Sequence, residues 1–530
     1  MANLLQDYVA EQAEQRPDCV ALVMGDERLT YAELESASNR LARQLLEAGC
    51  SRSDRVCLLA PKSPTTMVAM LATLKAGGAY VPIDTASPAA RIARIFRAAE
   101  PAAVLTLGSA ASIADELRAE NALDRAVPVG ALDELATSAS AGAVAFGPAD
   151  VGQQESQPLP QYGSEEDTAH LLFTSGSTGD PKGVVIKHAN VRAFVEWGVS
   201  YFGIQPGDRL SGHPPLHFDL SGFDFYGAMR AGAELHLVPP ETLLPQQLAR
   251  FIQTAELTQW FAVPSAMTYM TRFGAVPDEG FPTLQRVLWC GEVLPTSVLV
   301  DWMRRIPQAS FTNLYGPTEA TIASSYYTVP GVPTHESEAI PIGTPCDGEE
   351  LLIVDDEGRP AKDGEIGELC IGGAGLSPGY WRDEAKTRAV FVSDPRPGRE
   401  SERIYRTGDL ARVGEDGLYY FLGRADSQIK SRGYRIELGE IETAVNARPE
   451  IGECAVVATA SDGFEGVAIC CAYAPSNGAV DSTALRTALT SVLPAYMLPS
   501  RWLSMEKLPE NSNGKIDRRR LREMFSSEIR

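Results

Sequence analysis

Short apolar runs alternate along most of the chain with alanine-rich stretches suited to helices, and this alternation constrains the fold more than any other feature. Many of the runs end in Pro, Gly, Ser or Glu, as in RVCLLAP (55–61), AELHLVP (233–239) and RVLWCGE (286–292). Stretches such as TTMVAMLATLKAG (65–77) lie between them. Apolar strands separated by helices form parallel sheets that are covered on both faces. The sequence therefore predicts an α/β fold, whose ligands bind just beyond the strand ends.

At 530 residues the chain is too long for one ordinary hydrophobic core, and its pattern of apolar and polar residues changes twice. From about 340, ELLIVDDEGRPAKDGEIGELCIGG predicts short strands and Gly/Asp turns in a compact β unit. After GRADSQIK (423–430) a small α+β unit is expected, with helices near 438–447 and 482–492 and strands in ECAVVATAS and VAICCAYAP. Residues 134–166 are rich in Ala, Ser, Gly, Gln and Glu, which favours a surface linker or loose insertion.

Charge and cysteine content exclude several classes of partner. The formal net charge is -22, from 47 Lys and Arg against 69 Asp and Glu, which would repel nucleic acid and anionic lipid. The start, MANLLQDYVAEQAEQRPD, lacks a signal pattern, and no apolar stretch reaches the roughly 18 residues of a membrane span. Nine scattered cysteines without metal-ligand spacing are expected to be reduced core residues. We expect a cytoplasmic protein that binds neither nucleic acid nor membrane.

The segment TSGSTGDPKG (174–183) follows the apolar run AHLLF (169–173) directly. A loop rich in Gly and hydroxyl groups at a strand end offers backbone N–H groups and side-chain donors to phosphate oxygens. Lys182 adds one fixed positive charge. The spacing differs from a Walker A loop, because Pro181 lies five residues after Gly176 and no Lys-Ser/Thr pair follows. Taken alone, such a Ser/Gly loop is better explained as a flexible surface turn.

The loop belongs to an ordered series of motifs. LTYAELESASNRLA (29–42) and LKAGGAYVPID (74–84) precede it, and it is followed by NLYGPTEAT (313–321), GELCIGGAGLSPGYW (367–381), YRTGDLAR (405–412), GRADSQIKSRGYRIELGEIE (423–442), LPAYMLPS (493–500) and NSNGKIDRR (511–519). The series resembles the adenylation domains of nonribosomal peptide synthetases, within the superfamily of acyl- and aryl-CoA synthetases and luciferases. This resemblance covers about 29–519.

The resemblance implies a large N-terminal adenylation core, residues 1–425, of two α/β subdomains plus a β-barrel-like subdomain at about 340–425. A small, mobile α+β C-terminal domain, residues 426–530, would turn about a hinge at Asp426. The implied reaction activates a carboxylate with ATP as an acyl-adenylate and then transfers the acyl group to a carrier protein's phosphopantetheine thiol. Gly433 would let pantetheine pass close to the backbone.

The resemblance also assigns the ATP site, residue by residue. Asp409 would accept the ribose hydroxyls, Tyr315 would stack on adenine, and Asn313 would meet its amino edge. Lys515 would bridge the substrate carboxylate and the α-phosphate, and Glu319 would face Mg²⁺, with Thr318 beside it in the catalytic set. The remaining ATP-binding positions are Thr174, Ser175, Gly176, Ser177, Thr178, Lys182, Gly316, Phe421 and Arg424. Outside the motifs, Asp409 would be a turn former, Tyr315 a core aromatic residue and Lys515 a solvated charge.

The substrate is inferred from PLHFDLSGFDFYGAM (215–229), which matches the family segment whose aspartate binds an α-amino group. Asp219 takes that place; a helix-capping role is the alternative. The side-chain pocket would consist of Leu220, Phe223, Phe261, Leu288, Cys290, Leu314, Ile322 and Ala323. No wall residue is charged, which implies an apolar amino acid. The pattern resembles freestanding prolyl-activating members but departs at Phe261, Cys290 and Ala323, so valine, leucine, isoleucine or a small nonproteinogenic amino acid stay possible.

Two other classes remain as alternatives. A CoA ligase of an aryl or fatty acid would lack Asp219, and a catalytically silent docking module would not need TGD or NGK. No carrier or condensation motif flanks the enzyme motifs, so a separate carrier protein is the expected partner. RADSQIKSRGYR and IDRRRLR are candidate basic patches for docking that carrier, or simply solvated faces.

Overall fold

The computed structural model describes residues 4–140, 142, 144–160, 162–176, 180–242, 244–362, 364–426, 428–461, 467–476, 480–509 and 516–527. The described chain forms a mixed α/β structure with a large N-terminal part and a small C-terminal part. The predicted fold class is therefore confirmed. The domain boundaries themselves stay predictions.

The strands of the described residues are numbered in chain order. They are β1 Val20–Met24, β2 Glu27–Thr30, β3 Arg55–Leu59, β4 Ala79–Pro82, β5 Ala103–Thr106, β6 Val129–Ala131, β7 Thr168–Thr174, β8 Lys182–Lys187, β9 Arg209–Gly212, β10 Glu234–Leu237, β11 Gln259–Ala262, β12 Arg286–Cys290, β13 Ser310–Tyr315, β14 Ser325–Thr328, β15 Thr344–Pro345, β16 Glu349–Val354, β17 Gly367–Gly373, β18 Phe391–Ser393, β19 Arg403–Val413, β20 Tyr419–Arg424, β21 Gln428–Ser431, β22 Tyr434–Glu437, β23 Ile451–Ala460, β24 Val467–Pro475 and β25 Arg501–Ser504.

The α-helices of the described residues are numbered in the same way. They are α1 Asp7–Gln15, α2 Tyr31–Glu47, α3 Pro64–Lys75, α4 Ala89–Ala99, α5 Ala111–Ala119, α6 Glu134–Ala139, α7 Pro148–Gln153, α8 His188–Phe202, α9 Leu220–Ala231, α10 Pro245–Thr254, α11 Pro264–Arg272, α12 Thr296–Arg305, α13 Glu384–Val390, α14 Leu438–Asn446, α15 Ser482–Leu489 and α16 Arg518–Ser527.

The first sheet has six strands in the order β6-β5-β3-β4-β7-β8. All neighbouring pairs are parallel except β7 with β8. Alternate residues of β3 pack on opposite faces: Val56 and Leu58 belong to one buried cluster, whereas Cys57 and Leu59 belong to another. Burial on both faces explains why these strands are continuous apolar runs in the sequence.

The second sheet has nine strands in the order β15-β14-β13-β12-β11-β9-β10-β1-β2. Strands β10, β9, β11, β12 and β13 are mutually parallel along this order. Trp260 and Trp289 face one cluster, and Phe261 and Leu288 face the other. Because the carboxyl ends of parallel strands meet at one edge, the segments after β11, β12 and β13 are brought side by side.

A third, antiparallel unit begins where the sequence texture first changes. Its five strands run in the order β16-β17-β19-β18, with β20 paired to β19. Their inward side chains form a cluster that also contains Tyr315 of β13 and Ala320 of the turn that follows it. This unit therefore packs against the end of β13.

The C-terminal part begins with the two-stranded hairpin of β21 and β22. A three-stranded sheet, in the order β23-β24-β25, then separates two small clusters: Val456 faces one and Val457 the other. The helix expected near 438–447 is α14, and the one expected near 482–492 ends earlier, at Leu489.

Residues 134–166 are more ordered than expected for a loose insertion. They contain α6 and α7, and Phe146 is 3% exposed against Gly130. No disulfide joins the nine cysteines in the described structure, and eight of them are buried, whereas Cys19 is exposed. Among the described residues, no helix combines the length and apolar character that crossing a bilayer requires.

Candidate active site

A cleft with an empty volume of about 890 Å³ opens where the strand ends, the antiparallel unit and the C-terminal hairpin meet. Its walls come from β7, the segments after β11, β12 and β13, strands β19 and β20, and the hairpin. Of the predicted site residues, those lining it are Thr174, Ser175, Asp219, Leu220, Cys290, Gly316, Thr318, Asp409 and Arg424. Thr174 and Arg424, which are 250 positions apart in the sequence, thus share one cavity.

Asp409 lies in β19 and is 3% exposed. Its Oδ2 accepts a hydrogen bond from the Tyr315 hydroxyl, and its Oδ1 pairs with Arg424. Burial and the neighbouring Asp409 raise the pKa of Tyr315 well above its usual range, so this tyrosine is a donor. The three predicted ATP-site residues therefore form one hydrogen-bonded group at the cleft wall.

The other predicted ATP-site residues differ in their placement. Asn313 is 8% exposed and donates to the Pro341 carbonyl, behind the cleft wall. Phe421 lies beside Tyr315, with 6.3 Å between ring centroids. The Ser175 hydroxyl donates to the Arg435 carbonyl at 2.6 Å, and Gly176 approaches the Asp180 carbonyl so closely that a Cβ would lie 2.3 Å from its oxygen. Ser177, Thr178 and Lys515 lie outside the described residues.

Glu319 is fully buried in a short 3₁₀ turn after β13. Its Oε2 accepts from Arg435 Nη1 at 2.6 Å, and its Oε1 accepts from the Tyr380 hydroxyl at 2.7 Å with Lys182 Nζ at 4.0 Å. Burial alone would raise the pKa of Glu319, but Arg435, Lys182 and Tyr380 outweigh it and lower the pKa to about 2. Glu319 is therefore ionised and neutralised by protein groups.

This donor set does not fit a magnesium ion as arranged here. Mg²⁺ requires several oxygen ligands in octahedral geometry, whereas Glu319 is flanked by two cationic side chains. Both oxygens of its carboxylate already accept hydrogen bonds from protein groups. In this arrangement Glu319 is the counter-ion of Arg435 and Lys182.

Asp219 lies immediately before α9 and is half-buried. Burial raises the pKa of its carboxyl to about 6, although a hydrogen bond from Thr318 and the charge of Lys430 oppose this shift. The side chain makes no capping hydrogen bond to α9. The Leu220 N–H at the start of α9 also lowers this pKa, so the helix-cap alternative stays open. A half-buried carboxylate that borders the cleft suits a cationic ligand.

Below Asp219, the eight predicted pocket residues are at most 4% exposed and belong to one apolar cluster. Phe261, Leu288, Cys290 and Leu314 are brought together by the registers of β11, β12 and β13. Phe223 packs edge-on against Phe261, with 6.2 Å between centroids. Leu220 and Cys290 are the two that also line the cleft. The eight positions therefore lie in the same buried cluster, and their role as a side-chain pocket stays a prediction.

The pocket wall contains backbone strain that the sequence did not reveal. Thr321 and Ile322 have positive φ angles of 53° and 69°, which are unusual for β-branched residues. The Thr321 hydroxyl donates to the Gly375 carbonyl at 2.7 Å and so holds the turn in place. Such strain is typical of sites where the position of a side chain matters for function.

Comparison with known proteins gives the family. Residues 9–381 match the model of the AMP-binding enzyme family, and residues 440–515 match that of the AMP-binding enzyme C-terminal domain. The chain belongs to the AMP-binding enzymes. This family is part of the adenylate-forming superfamily, and its enzymes use ATP.

Three similar proteins illustrate the relationship. Bacitracin synthase 1 of Bacillus licheniformis is 34% identical over 98% of this chain and 9% of that protein. The D-alanine–D-alanyl carrier protein ligase of Bacillus licheniformis is 32% identical over 98% of this chain and 99% of that protein. The structure of NpsA-ThdA, an artificially fused adenylation-PCP di-domain from Klebsiella oxytoca, has a TM-score of 0.79 at 25% identity, covering 94% of this chain and 93% of that chain.

The chain spans only 6% to 44% of the length of the first six curated relatives, which are large peptide synthases. The adenylation-domain resemblance of the motifs is confirmed by these matches.

The C-terminal hairpin of this AMP-binding enzyme supplies a part of the site that the sequence did not predict. Lys430 Nζ lies 5.7 Å from the centre of the Tyr315 ring, and Arg435 pairs with Glu319. Both residues lie in RADSQIKSRGYR, which the charge pattern assigned to a docking patch or a solvated face. That interpretation is wrong for these two, because they face the cleft of the enzyme. The clustering of basic residues beside the TGD motif was the available signal.

Proposed function

We propose that this AMP-binding enzyme activates a small apolar amino acid, best matched by L-proline, as its aminoacyl-adenylate. It then transfers the aminoacyl group to the phosphopantetheine thiol of a separate carrier protein. The observation that carries the proposal is the half-buried Asp219, which borders the cleft directly above an uncharged pocket.

The first half-reaction follows from the groups around the cleft. A carboxylate oxygen of the amino acid attacks the α-phosphate of ATP, and pyrophosphate leaves. The assigned ribose partner, Asp409, is fixed by Tyr315 and Arg424, so the nucleotide would meet a preorganised wall. The loop after β7 would supply donors for the phosphates, with Lys182 near its end. Lys515 would stabilise charge as it develops at the reacting groups.

Recognition of the amino group would fall to Asp219. A bound ammonium would stabilise its carboxylate form and lower the raised pKa of this group. An aryl or fatty acid offers no such cation, which disfavours the CoA-ligase alternative. A silent docking module would not need the paired Asp409, Tyr315 and Arg424.

The size of the pocket favours a short side chain. By the family resemblance, members that accept phenylalanine have alanine at the positions of Leu220 and Leu314. In this chain both leucines are buried, and Phe223 packs against Phe261. What remains suits a pyrrolidine ring or a short branched chain. Valine, leucine and isoleucine are the competing substrates, since one methylene changes selectivity by only about 10- to 200-fold.

In the second half-reaction, the carrier's sulfur forms a C–S bond to the acyl carbon. The C–O bond to AMP breaks, AMP leaves with the bonding pair, and the thiol proton passes to solvent. A carrier partner is supported by the resemblance to a D-alanyl carrier protein ligase over 99% of that protein.

The buried cysteines, which form no disulfide in the described structure, fit a reducing compartment such as the cytoplasm.

The test is amino-acid-dependent exchange of pyrophosphate into ATP. The panel contains L-proline, L-valine, L-leucine, L-isoleucine, L-phenylalanine, D-alanine and two aryl acids. We expect the highest kcat/KM with L-proline and loss of about a hundredfold in Lys515→Ala, without a change in melting temperature. Exchange supported only by an aryl acid would favour the CoA-ligase alternative, and no exchange with any acid would favour a silent module.

A further inference from the structure

The tip of the C-terminal hairpin is a two-residue turn formed by Arg432 and Gly433. Both have left-handed backbone angles, with φ of 53° and 79°, and the strand register pairs Ser431 with Tyr434. This is the geometry of a tight hairpin turn with positive φ at both central residues. The N–H of Gly433 points away from the ladder in such a turn, so its hydrogen-bond partner must come from outside the hairpin.

Glu292 supplies that partner from the N-terminal part. Its Oε1 accepts the Gly433 N–H at 2.9 Å, and its Oε2 accepts the Ser265 N–H at 2.9 Å. Ser265 is in the first turn of α11, where free N–H groups and the helix dipole favour a carboxylate. One half-buried side chain thus joins the end of β12, the start of α11 and the hairpin tip.

Apolar side chains of the N-terminal part also pack closely against the hairpin tip. A Cβ on Gly433 would lie 2.7 Å from Val263 Cγ1 and 3.1 Å from Phe218 Cε1. Val263 precedes α11, and Phe218 precedes Asp219; both line the cleft. Tyr434 packs edge-on against Phe218, with 4.9 Å between centroids. The apolar contacts fix the depth of the hairpin tip, and Glu292 is the polar contact that fixes its backbone.

We propose that Glu292 is a positioning residue for the acyl-transfer half-reaction, because it holds the hairpin tip against the cleft wall at Val263 and Phe218. The proposal rests on the proposed function. The hydrogen bonds of Glu292 go to Ser265 and Gly433, and it holds none of the groups assigned to ATP or to the amino acid. The resemblance places Gly433 beside the path of pantetheine, and Glu292 holds the N–H of this glycine. Loss of Glu292 should therefore slow acyl transfer more than adenylate formation.

The central variant is Glu292→Gln, in which one oxygen becomes an amide that cannot accept a hydrogen bond. Val293→Thr is the matched control, since Val293 is the next residue and is 71% exposed. Glu292→Asp keeps the charge on a shorter side chain and is expected to be intermediate. The rate of adenylation is measured by pyrophosphate exchange. The rate of acyl transfer is measured by single-turnover formation of the aminoacyl thioester, with pantetheine as the acceptor.

We expect Glu292→Gln to slow thioester formation about tenfold while exchange changes by less than about twofold. Val293→Thr should leave both rates unchanged. An equal fall in both rates would overturn the proposal, because it would mean that Glu292 only supports the start of α11. Unchanged thioester formation would overturn it as well.

Amide hydrogen exchange gives a readout that does not depend on turnover. In Glu292→Gln, the peptide spanning 428–437 should exchange about tenfold faster than in the wild type, with unchanged exchange across 451–460. Equal protection of the hairpin in both proteins would refute the contact. If the wild type does not exchange pyrophosphate into ATP, the proposed function fails. Amide hydrogen exchange would still show whether Glu292 holds the hairpin tip.

Discussion

Arg435 of the C-terminal hairpin and Glu319 of the N-terminal part form an ion pair inside the cleft, with 2.6 Å between Nη1 and Oε2. Glu319 is fully buried, and the Arg435 side chain is 16% exposed. A buried pair of this kind is stabilising only when its remaining polar atoms are satisfied. Tyr380 and Lys182 contact the other oxygen of Glu319, and Arg435 Nη2 donates to the Tyr405 hydroxyl at 3.4 Å. The buried Nε of Arg435 has no hydrogen-bond partner among the described residues.

The first prediction concerns this ion pair. Glu319→Gln leaves Arg435 and Lys182 without their counter-ion, and we expect the free energy of unfolding to fall by about 3 kcal/mol at pH 7. The folded pKa of Glu319, about 2, lies below the ordinary value of 4.5. The stabilisation is therefore complete above pH 4.5 and is lost as the pH falls toward 2. Urea unfolding of both proteins at pH 7, 4 and 3 measures it.

Glu349→Gln is the matched control for this prediction. Burial raises the pKa of Glu349 to about 8, so this carboxyl is largely protonated at pH 7 and its neutralisation removes little charge. A difference between wild type and Glu319→Gln that stayed constant down to pH 3 would point to packing instead of charge.

The second prediction concerns Asp219. Burial holds its pKa at about 6 in the free enzyme, above the ordinary value of 3.8, so the folded state pays a charge penalty above pH 6. The stability that the protonated Asp219 contributes to the folded state is fully present below pH 3.8 and is lost as the pH rises through 6. Asp219→Asn should therefore raise the melting temperature at pH 8 but not at pH 3.5.

The same substitution should lower kcat/KM for the amino acid by about a hundredfold, because the ammonium loses its buried carboxylate. In the wild type, kcat/KM should decline below pH 6 as Asp219 becomes protonated. Full activity of Asp219→Asn in pyrophosphate exchange would exclude Asp219 as the amine partner.

The third prediction concerns the size of the pocket. Leu220→Ala combined with Leu314→Ala should shift preference from L-proline toward larger apolar amino acids, because both side chains occupy the pocket. Each substitution should cost about 2–5 kcal/mol from the cavity it leaves. The measurement is kcat/KM for proline, valine, leucine and phenylalanine with both proteins. A wild-type preference for phenylalanine, or for a charged amino acid, would contradict the size argument.

The fourth prediction concerns the proposed hinge. Asp426→Pro restricts the backbone between β20 and β21 and should impair the two half-reactions unequally. Asp426→Asn is the control for the lost ion pair, because Asp426 also pairs with Arg424 at 2.6 Å. Exchange and thioester formation are measured for both variants. An equal fall of both rates in Asp426→Pro would indicate a folding defect.

The fold followed from the sequence wherever a local pattern decides the structure. Strands such as β3 and β12 are continuous apolar runs because both of their faces are buried, and this requirement is visible in each run by itself. The motifs likewise identified Asp409, Asp219 and Glu319, because each belongs to a short segment with its own characteristic spacing. The order seen in the described part of 134–166 was not predicted, since its polar composition hides two buried residues, Ala136 and Phe146.

Contacts between distant segments were decided only by the tertiary structure. Glu319 and Arg435 are 116 residues apart, Tyr315 and Asp409 are 94 apart, and Glu292 and Gly433 are 141 apart. Composition shows that RADSQIKSRGYR is basic, but not whether its charges face solvent or a buried carboxylate. That choice depends on how the hairpin packs against the strand ends, because burial makes an unpaired charge costly and a paired one acceptable. The sequence determined the chemical groups and their strands, and the packing of the two parts determined which groups meet.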